Sequence, residues 1–502
     1  MNLILDGHCY KYELESLANM FFHENKVRVV EEKDFGQEEY LYTQYTPESD
    51  GTVLLKVVTK IDGKLREECF RGKPDEKDPD RFCEYHLCRM LYRQLEEATG
   101  LSLAWGMLTG VRPVRLIYRY RERGMSDAQI REHLRRDYFV TDEKIDLLLR
   151  TADKEKQILD LSRPESFSLY ISIPFCPSRC NYCSFVSHSI ERAKKLIPEY
   201  VSLLIREIEY VAPIVQKLGL RLETVYFGGG TPTAISSEQL EQIICAIEQH
   251  FDLSHLREYT VEAGRPDTIT MQKLQMLKRK GVTRISINPQ TMNDAVLEQI
   301  GRRHTTAQTI EAFQMARQAG HRNINMDLIA GLTGDTLESF CRTVDQVIGL
   351  APENITLHTL SVKRSSRLGQ HAKEFYLQEH QRVTDMLSYA GQRFYEEQYL
   401  PYYLYRQKNT MENMENVGYC KDGAVGYYNV YIMDETHSII ALGAGGVSKL
   451  RQPGGTLLHR IFNYKYPYEY IERFDTVLRR KDEIVTFYEQ SDPGVVSLAR
   501  EK

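Results

Sequence analysis

The sequence predicts an α/β protein built on a partial barrel of six β/α units, a partial (β/α)6 barrel, with an α+β region on either side of it. Three observations carry that prediction. From about residue 168 onward, short β-branched runs alternate with amphipathic helical stretches, the pattern of parallel βαβ units. The alternation stops after six strands in about 200 residues, too few for a closed eight-fold barrel. A dense cysteine run follows the first strand directly, at the carboxyl end where parallel α/β folds gather their chemistry.

In order, the strands read Leu169–Ile173, Leu222–Phe227, Tyr259–Ala263, Val282–Ile287, Asn323–Leu328 and Ile355–Leu360. The helical patterns between them are Ile197–Val211, Ser237–Ile247, Met271–Lys280, Ala307–Gln318 and Leu337–Ile348. Residues 1–160 have a different texture. Strand-like pieces (Lys26–Glu31, Thr52–Ile61) precede a helix over Asp80–Thr99 and charged helical material over Asp127–Arg136 and Asp142–Ala152. These residues read as an N-terminal α+β domain with a helical connector, residues 161–365 as the barrel, and 366–502 as a C-terminal α+β extension. The extension opens on a helix (Glu374–Tyr395), continues in tyrosine-rich strands and ends in a helical tail.

A chain of 502 residues suffices for two to four domains at about 150 residues each. With 42% hydrophobic and 27% charged residues it reads as a soluble globular protein. A net charge of −5 argues against a general nucleic-acid binder. No apolar run approaches the roughly 18 residues of a bilayer span, and the start lacks a basic, then apolar, signal pattern. The expected setting is therefore the cytoplasm. Ten cysteines in this length do not make a disulfide scaffold. The seven outside the dense run (Cys9, Cys69, Cys83, Cys88, Cys245, Cys341, Cys420) read as buried small apolar residues.

The dense run is Ile173-Pro-Phe-Cys176-Pro-Ser-Arg-Cys180-Asn-Tyr-Cys183-Ser-Phe185, with spacing C-x3-C-x2-C. Three thiolates can hold three irons of a four-iron, four-sulfur cluster and leave the fourth iron open. Structural zinc would want a fourth ligand, and no second C-x2-C or H-x3-H follows. Further motifs stand at later strand ends. Gly228-Gly-Gly-Thr-Pro-Thr233 offers a backbone that a ligand can approach closely. Glu262 can accept hydrogen bonds from ribose hydroxyls. Gln290, the run Arg302-Arg-His304 and Asp327 follow the fourth and fifth strands.

The cysteine spacing and the aromatic beside Cys183 resemble the signature of radical S-adenosylmethionine (SAM) enzymes. Together with Gly228–Thr233, Gln290, Arg302 and Asp327-Leu-Ile-Ala-Gly-Leu332, they resemble the oxygen-independent coproporphyrinogen III oxidase (dehydrogenase) family, in its HemZ-like branch with a similar N-terminal extension. The resemblance implies cluster ligation at Cys176, Cys180 and Cys183, and contact with a first SAM at Tyr170, Gly229 and Glu262. It implies a second SAM at Tyr182, Gly230, Thr231, Gln290, Arg302, Asp327 and Ser361, and a later cofactor-binding backbone position at Val447. The implied reaction is oxidative decarboxylation of coproporphyrinogen III to protoporphyrinogen IX, initiated by a radical made from SAM, with a reductase, flavodoxin or ferredoxin as electron donor. Arg265, Arg303, His304 and Lys363 are candidates by position for tetrapyrrole carboxylates.

Two positions depart from the pattern. Phe185 stands where coproporphyrinogen dehydrogenases carry a fourth cysteine, as in the related haem chaperones. Tyr428, in Tyr428-Asn-Val-Tyr-Ile432, stands where those chaperones carry the histidine of their haem motif. Two alternatives follow: a radical SAM enzyme acting on haem by methyl transfer and ring opening, or a haem-binding chaperone with a regulatory cluster.

Overall fold

A computed structural model describes residues 1–22, 26–31, 33–74, 78–183, 188–360, 372–407 and 414–491. Ser361, Lys363 and Phe185 lie outside the described residues. The chain divides into two compact units, one of residues 1–152, 361–381 and 404–416, the other of 153–360, 382–403 and 417–502.

The first unit holds a five-stranded sheet of β1 (Asn2–Asp6), β2 (Arg28–Val30), β3 (Tyr40–Pro47), β4 (Val53–Ile61) and β5 (Lys64–Gly72), in the order β2-β1-β3-β4-β5. β1 runs parallel to both its neighbours, and β3, β4 and β5 form an antiparallel meander. The helices Lys11–Phe21 and Pro79–Thr99 bury Leu14, Leu17, Leu87 and Leu91 with Leu55 and Val57 of the sheet. Cys83 and Cys88 both belong to that core, whereas Cys9 and Cys69 are exposed, against expectation. Cys69 lies on β5, the edge strand, which has one side unpaired. Deeper in this unit the Lys144 ammonium donates to Glu415 Oε1 at 2.6 Å, and Trp105 Nε1 donates to Glu415 Oε2 at 2.7 Å.

The second unit opens with β6 (Ser166–Ile173) and the short pair β7 (Phe175–Cys176) and β8 (His188–Ser189). Then follow β9 (Arg221–Gly229), β10 (Glu258–Glu262), β11 (Arg284–Ser286), β12 (Ile324–Ala330) and β13 (Asn354–Thr359). The last strands are β14 (Leu400–Arg406), β15 (Glu415–Cys420), β16 (Ser438–Leu442), β17 (Val447–Arg451) and β18 (Leu458–Phe462). The large sheet has the order β14-β15-β13-β12-β11-β10-β9-β6-β16-β17-β18. Its centre is the six-stranded parallel array β6-β9-β10-β11-β12-β13, the expected partial barrel. β16 extends it in parallel beside β6, and β15 adds antiparallel to β13. The intervening helices begin at side-chain caps: Ser236 for Ser237–His250, Thr305 for Thr306–Gln318 and Thr336 for Leu337–Leu350.

Period-two alternation sorts the barrel strands. Leu169, Ile171 and Ile173 are fully buried apolar residues of β6, while Ser168, Tyr170 and Ser172 share its other face. That polar face is unusually well furnished, with Thr224, Glu258, Thr260, Arg284, Asn325 and Thr356 all buried on neighbouring strands. The segment Ala424–Tyr431 meets it. Tyr427 N donates to Glu258 Oε2 at 2.6 Å, and Asn354 Nδ2 donates to the Ala424 carbonyl at 2.6 Å. Tyr402 and Tyr403, from the tyrosine-rich stretch, are buried on β14.

A buried ionic network joins five segments of this unit. Glu207, on the helix Ile197–Lys217, accepts from Gly443 N at 2.7 Å, Tyr470 Oη at 2.8 Å and Asn463 Nδ2 at 2.8 Å, and pairs with Lys481 Nζ at 3.2 Å. Both charges are fully buried. Removing one partner of such a pair leaves an uncompensated charge, so Glu207→Ala should destabilise the protein by about 3–5 kcal/mol. Denaturant unfolding measures this, and a loss under about 1 kcal/mol would show that the network is not integral to the fold.

Candidate functional site

The cysteine run leaves β6 through β7, and Cys176, Cys180 and Cys183 are all partly exposed thiols outside any disulfide. Backbone and side-chain hydrogen bonds from one turn hold the loop. Asn181 N donates to the Ile300 carbonyl at 3.0 Å, Asn181 Nδ2 to the Gln299 carbonyl at 2.9 Å, and Ser178 Oγ to the Gly301 carbonyl at 2.9 Å. The glycine triplet ends β9 against this loop. Gly230 N donates to the Ile173 carbonyl at 2.8 Å, and a Cβ on Gly230 would stand 2.7 Å from the Phe175 carbonyl oxygen and 3.0 Å from Cys176 Sγ. No side chain fits there. Thr231 is buried beside it, with Oγ1 3.4 Å from Cys176 Sγ. The triplet thus cradles the cysteine loop itself, beyond the ligand approach expected from sequence.

Next to this cradle three tyrosine rings stack in the barrel. Tyr226 lies 4.3 Å from Tyr428 and 6.1 Å from Tyr170, and Tyr170 lies 6.1 Å from Tyr428. Tyr226 Oη donates to Glu262 Oε1 at 2.5 Å. Burial pushes the Glu262 carboxyl up to about 7; the Tyr226 hydrogen bond opposes the rise and the charge of Asp327 adds to it. Asp327 accepts from Asn325 Nδ2 at 2.7 Å, with His358 Nε2 3.9 Å from its other oxygen. Tyr170, Glu262 and Asp327 are therefore brought together. Tyr226 was not singled out in the sequence, although it faces the same way as Tyr170 by period two.

Gln290 is buried in a left-handed conformation (φ 68°), locked by Gln290 N donating to the Asp327 carbonyl at 2.9 Å and Ile329 N to the Gln290 carbonyl at 3.0 Å. A non-glycine residue held there costs of order 1–3 kcal/mol, the kind of strain found at ligand clamps. Arg302 is buried and donates to the Asn288 carbonyl at 2.6 Å and the Gly264 carbonyl at 3.2 Å, with Tyr182 and Cys180 as its electrostatic neighbours. Tyr182 packs against Val296, Leu297, Ile300, Ile329 and Leu332. Val447 opens β17, whose preceding turn takes the Ser172 hydroxyl at the Ala444 carbonyl, 2.7 Å away. Of the carboxylate candidates, Arg265 is buried against the cysteine loop, His304 is buried, and exposed Arg303 pairs with Glu191 at 3.5 Å.

Among the described residues no three His, Cys, Asp or Glu side chains gather around a single metal ion. A four-iron cluster gives each thiolate its own iron and needs no such convergence. Three partly exposed thiols on one loop, with a glycine cradle tight against the first of them, fit that group.

The Radical SAM superfamily model matches residues 170–347. The oxygen-independent coproporphyrinogen-III oxidase-like protein HemZ of Bacillus subtilis is 36% identical over 486 residues, covering 95% of both chains. The haem chaperone HemW of the same organism is 37% identical over 197 residues, 39% of this chain and 51% of that protein. In the structure of coproporphyrinogen III oxidase (HemN) from Escherichia coli, titled a radical SAM enzyme, 72% of that chain superposes on 64% of this one with a TM-score of 0.48 at 21% identity. The superfamily match brings a four-iron, four-sulfur cluster and SAM as cofactors. No helix among the described residues is long and apolar enough to cross a membrane.

Two outcomes test the site. Anaerobic reconstitution should load about four irons per chain. Alanine at Cys176, Cys180 or Cys183 should abolish loading, and alanine at Cys83 or Cys88 should not; full iron in Cys180→Ala removes it from the ligand set. If Glu262 accepts from the SAM ribose, as the sequence leads one to expect, its ionised form is the better acceptor, and a carboxyl titrating near 7 loses that form on acidification. SAM should thus bind about ten-fold more weakly at pH 6 than at pH 8. Equilibrium dialysis on Glu262→Gln should give weaker binding without that pH dependence.

Proposed function

The chain belongs to the family of HemZ, the oxygen-independent coproporphyrinogen-III oxidase-like proteins, and from that premise we propose that it oxidatively decarboxylates coproporphyrinogen III or a close tetrapyrrole. In this reading Cys176, Cys180 and Cys183 hold the cluster. Tyr170, Gly229 and Glu262 contact the first SAM. Tyr182, Gly230, Thr231, Gln290, Arg302, Asp327 and Ser361 serve a second, and the Val447 backbone is a further cofactor contact. When bound, the cluster and SAM supply one-electron chemistry. Each of two propionates loses a hydrogen atom, CO2 and one further electron to an acceptor, leaving a vinyl group. The chain's own part is to hold the donor and the tetrapyrrole in fixed geometry and to keep water from the reacting carbon.

The observation that supports this over a carrier is Tyr428. At the position of the chaperones' haem histidine stands a ring that is 4% exposed and packed 4.3 Å from Tyr226 and 6.1 Å from Tyr170. It sits on the helix Tyr427–Asp434 and is buried against rings of β6 and β9, a phenol in place of the imidazole that would meet haem iron. Favouring the chaperone reading are Phe185 and the likeness to HemW.

Mass spectrometry of anaerobic incubations with coproporphyrinogen III, SAM and a strong reductant decides between them. The expected product has lost two CO2 and four hydrogens. Arg302→Ala and Asp327→Asn should lower turnover by roughly one to three powers of ten, the effect of losing a buried polar partner, while first-SAM binding changes less. An unchanged tetrapyrrole together with stoichiometric haem binding and release would transfer the assignment to a chaperone.

A further inference from the structure

Arg265 follows β10 in Glu262-Ala-Gly-Arg265-Pro-Asp267 and is only 3% exposed. Its guanidinium is divided between two tasks. Toward its own loop, Nε and Nη2 face the Asp267 carboxylate at 3.2 and 3.5 Å. Toward the cysteine loop, Nη2 donates to Ser178 Oγ at 2.9 Å, and Nη1 to the Ser178 carbonyl at 3.4 Å and to Cys180 Sγ at 3.5 Å. The side chain is thereby committed. It cannot also reach a substrate carboxylate, the role its position suggested in sequence. A second buried guanidinium, that of Arg302, has Cys180 among its electrostatic neighbours. Cys180 is thus the thiol against which two arginines converge.

We propose that Arg265 raises the reduction potential of the cluster by donating an N–H to the Cys180 sulfur and holding a positive charge beside it. Hydrogen bonds to ligating sulfurs, net charge and solvent exposure set iron–sulfur potentials. Three thiolates make the cluster anionic, and the reduced form carries one more negative charge. A cation in contact with one of those sulfurs stabilises the reduced form more than the oxidised one. Because Arg265 is shielded from water, that preference is weakly screened. Asp267 offsets part of the charge and fixes the guanidinium's orientation, and Ser178 ties the same guanidinium to the loop backbone. A tuning role of this kind lets a modest cytoplasmic donor deliver the electron.

The inference rests on Cys180 being a cluster ligand, and the two can fail separately. Iron retained in Cys180→Ala removes the ligand reading; an unshifted midpoint in iron-loaded variants removes this one. The experiment is a redox titration of the reconstituted full chain, followed by electron paramagnetic resonance, for the wild type, Arg265→Lys, Arg265→Gln, Arg265→Met and Asp267→Asn, with iron content measured in each. At the wild-type midpoint Arg265→Met should show a reduced-to-oxidised ratio about ten-fold lower, equal to 59 mV for one electron. Arg265→Gln should fall between, and Arg265→Lys should lie nearest the wild type. Asp267→Asn should move the opposite way, because the guanidinium charge is no longer offset. That variant leaves the cysteine-loop contacts in place, so it reports even if Arg265→Met fails to hold iron. Equal midpoints for the lysine and methionine variants, or no upward shift in Asp267→Asn, would leave Arg265 as a loop brace and overturn the proposal.

Discussion

Glu207 has no exposed surface and takes hydrogen bonds from a backbone N–H, an amide, a phenol and an ammonium, and the geometry of the cofactor end of the barrel depends on it. Burying a carboxylate is costly unless its lone pairs are filled, and each group that fills them comes from a different part of the chain. Gly443 belongs to the turn after β16, Asn463 follows β18, Tyr470 lies on the helix Pro467–Glu472, and Lys481 lies on the helix Phe474–Ser491. Satisfying one charge therefore draws the C-terminal elements onto the helix that follows the cysteine loop. The drawn-in turn is tight: Gly443 has φ 88°, and a Cβ there would meet Tyr200 Oη at 2.5 Å and the Ser172 carbonyl oxygen at 2.6 Å. Tyr200 Oη in turn donates to the Ser172 carbonyl at 2.8 Å, and Ser172 Oγ to Ala444. Ser172 closes β6, and a Cβ on Gly229 would stand 3.0 Å from its hydroxyl. Four short steps, through Gly443, Tyr200, Ser172 and Gly229, lead from a buried carboxylate to the proposed cofactor wall.

The barrel interior follows a similar logic of satisfied polarity. Glu258 accepts from Thr260 and from Tyr427 N and faces Arg284, whose other neighbours are Tyr402 and the Ala424 carbonyl. The amino-terminal half of the barrel is thus closed by polar side chains and by residues 424–428. At the next level up the closure becomes aromatic, with Tyr428 under Tyr226 and Tyr170. Above that layer the groups still able to act are Glu262, Asp327 and His358. A floor of packed tyrosine rings suits chemistry that must hold a reactive carbon away from water.

Much of this was legible in the sequence. All six parallel strands, and the residue types at their carboxyl ends, announce themselves by period-two alternation and by glycine and cysteine runs that no helix would tolerate. The legible part is local. β16 gives no sign of lying beside β6, because parallel pairing of Ser438–Leu442 with Phe167–Ile171 is a contact between segments about 270 residues apart. Glu207 reads as one more charged residue on an amphipathic helix, and Lys481 likewise; only burial from all sides reveals that each is the other's reason for being there. Tyr428 was visible as a departure from the chaperone pattern, but its stacking partner Tyr226 was not. Cys9 and Cys69 were misread because composition says how often a cysteine is buried, not which one lies on an edge strand.

The same long-range dependence explains why the cysteine loop can be both exposed and well defined. Ordering a loop of polar side chains and accessible thiols costs a large entropy, and hydrophobic burial offers little in return where the thiols must stay accessible. Polar ties from remote strand ends substitute for a core: Ile300, Gln299 and Gly301 from the turn before Arg302, Gly230 from β9, and Arg265 from β10. These ties enter from the ends of neighbouring parallel strands, so the loop inherits the rigidity of the sheet. They also place charge where it matters. Anchoring with carbonyls alone would surround the proposed thiolates with negative ends of dipoles and disfavour electron uptake. Anchoring partly with Arg265 and Arg302 reverses that sign. Holding the loop and making it electrically receptive are then one arrangement, which is why the cations sit behind the thiol while Asp267 stands on the far side of the guanidinium.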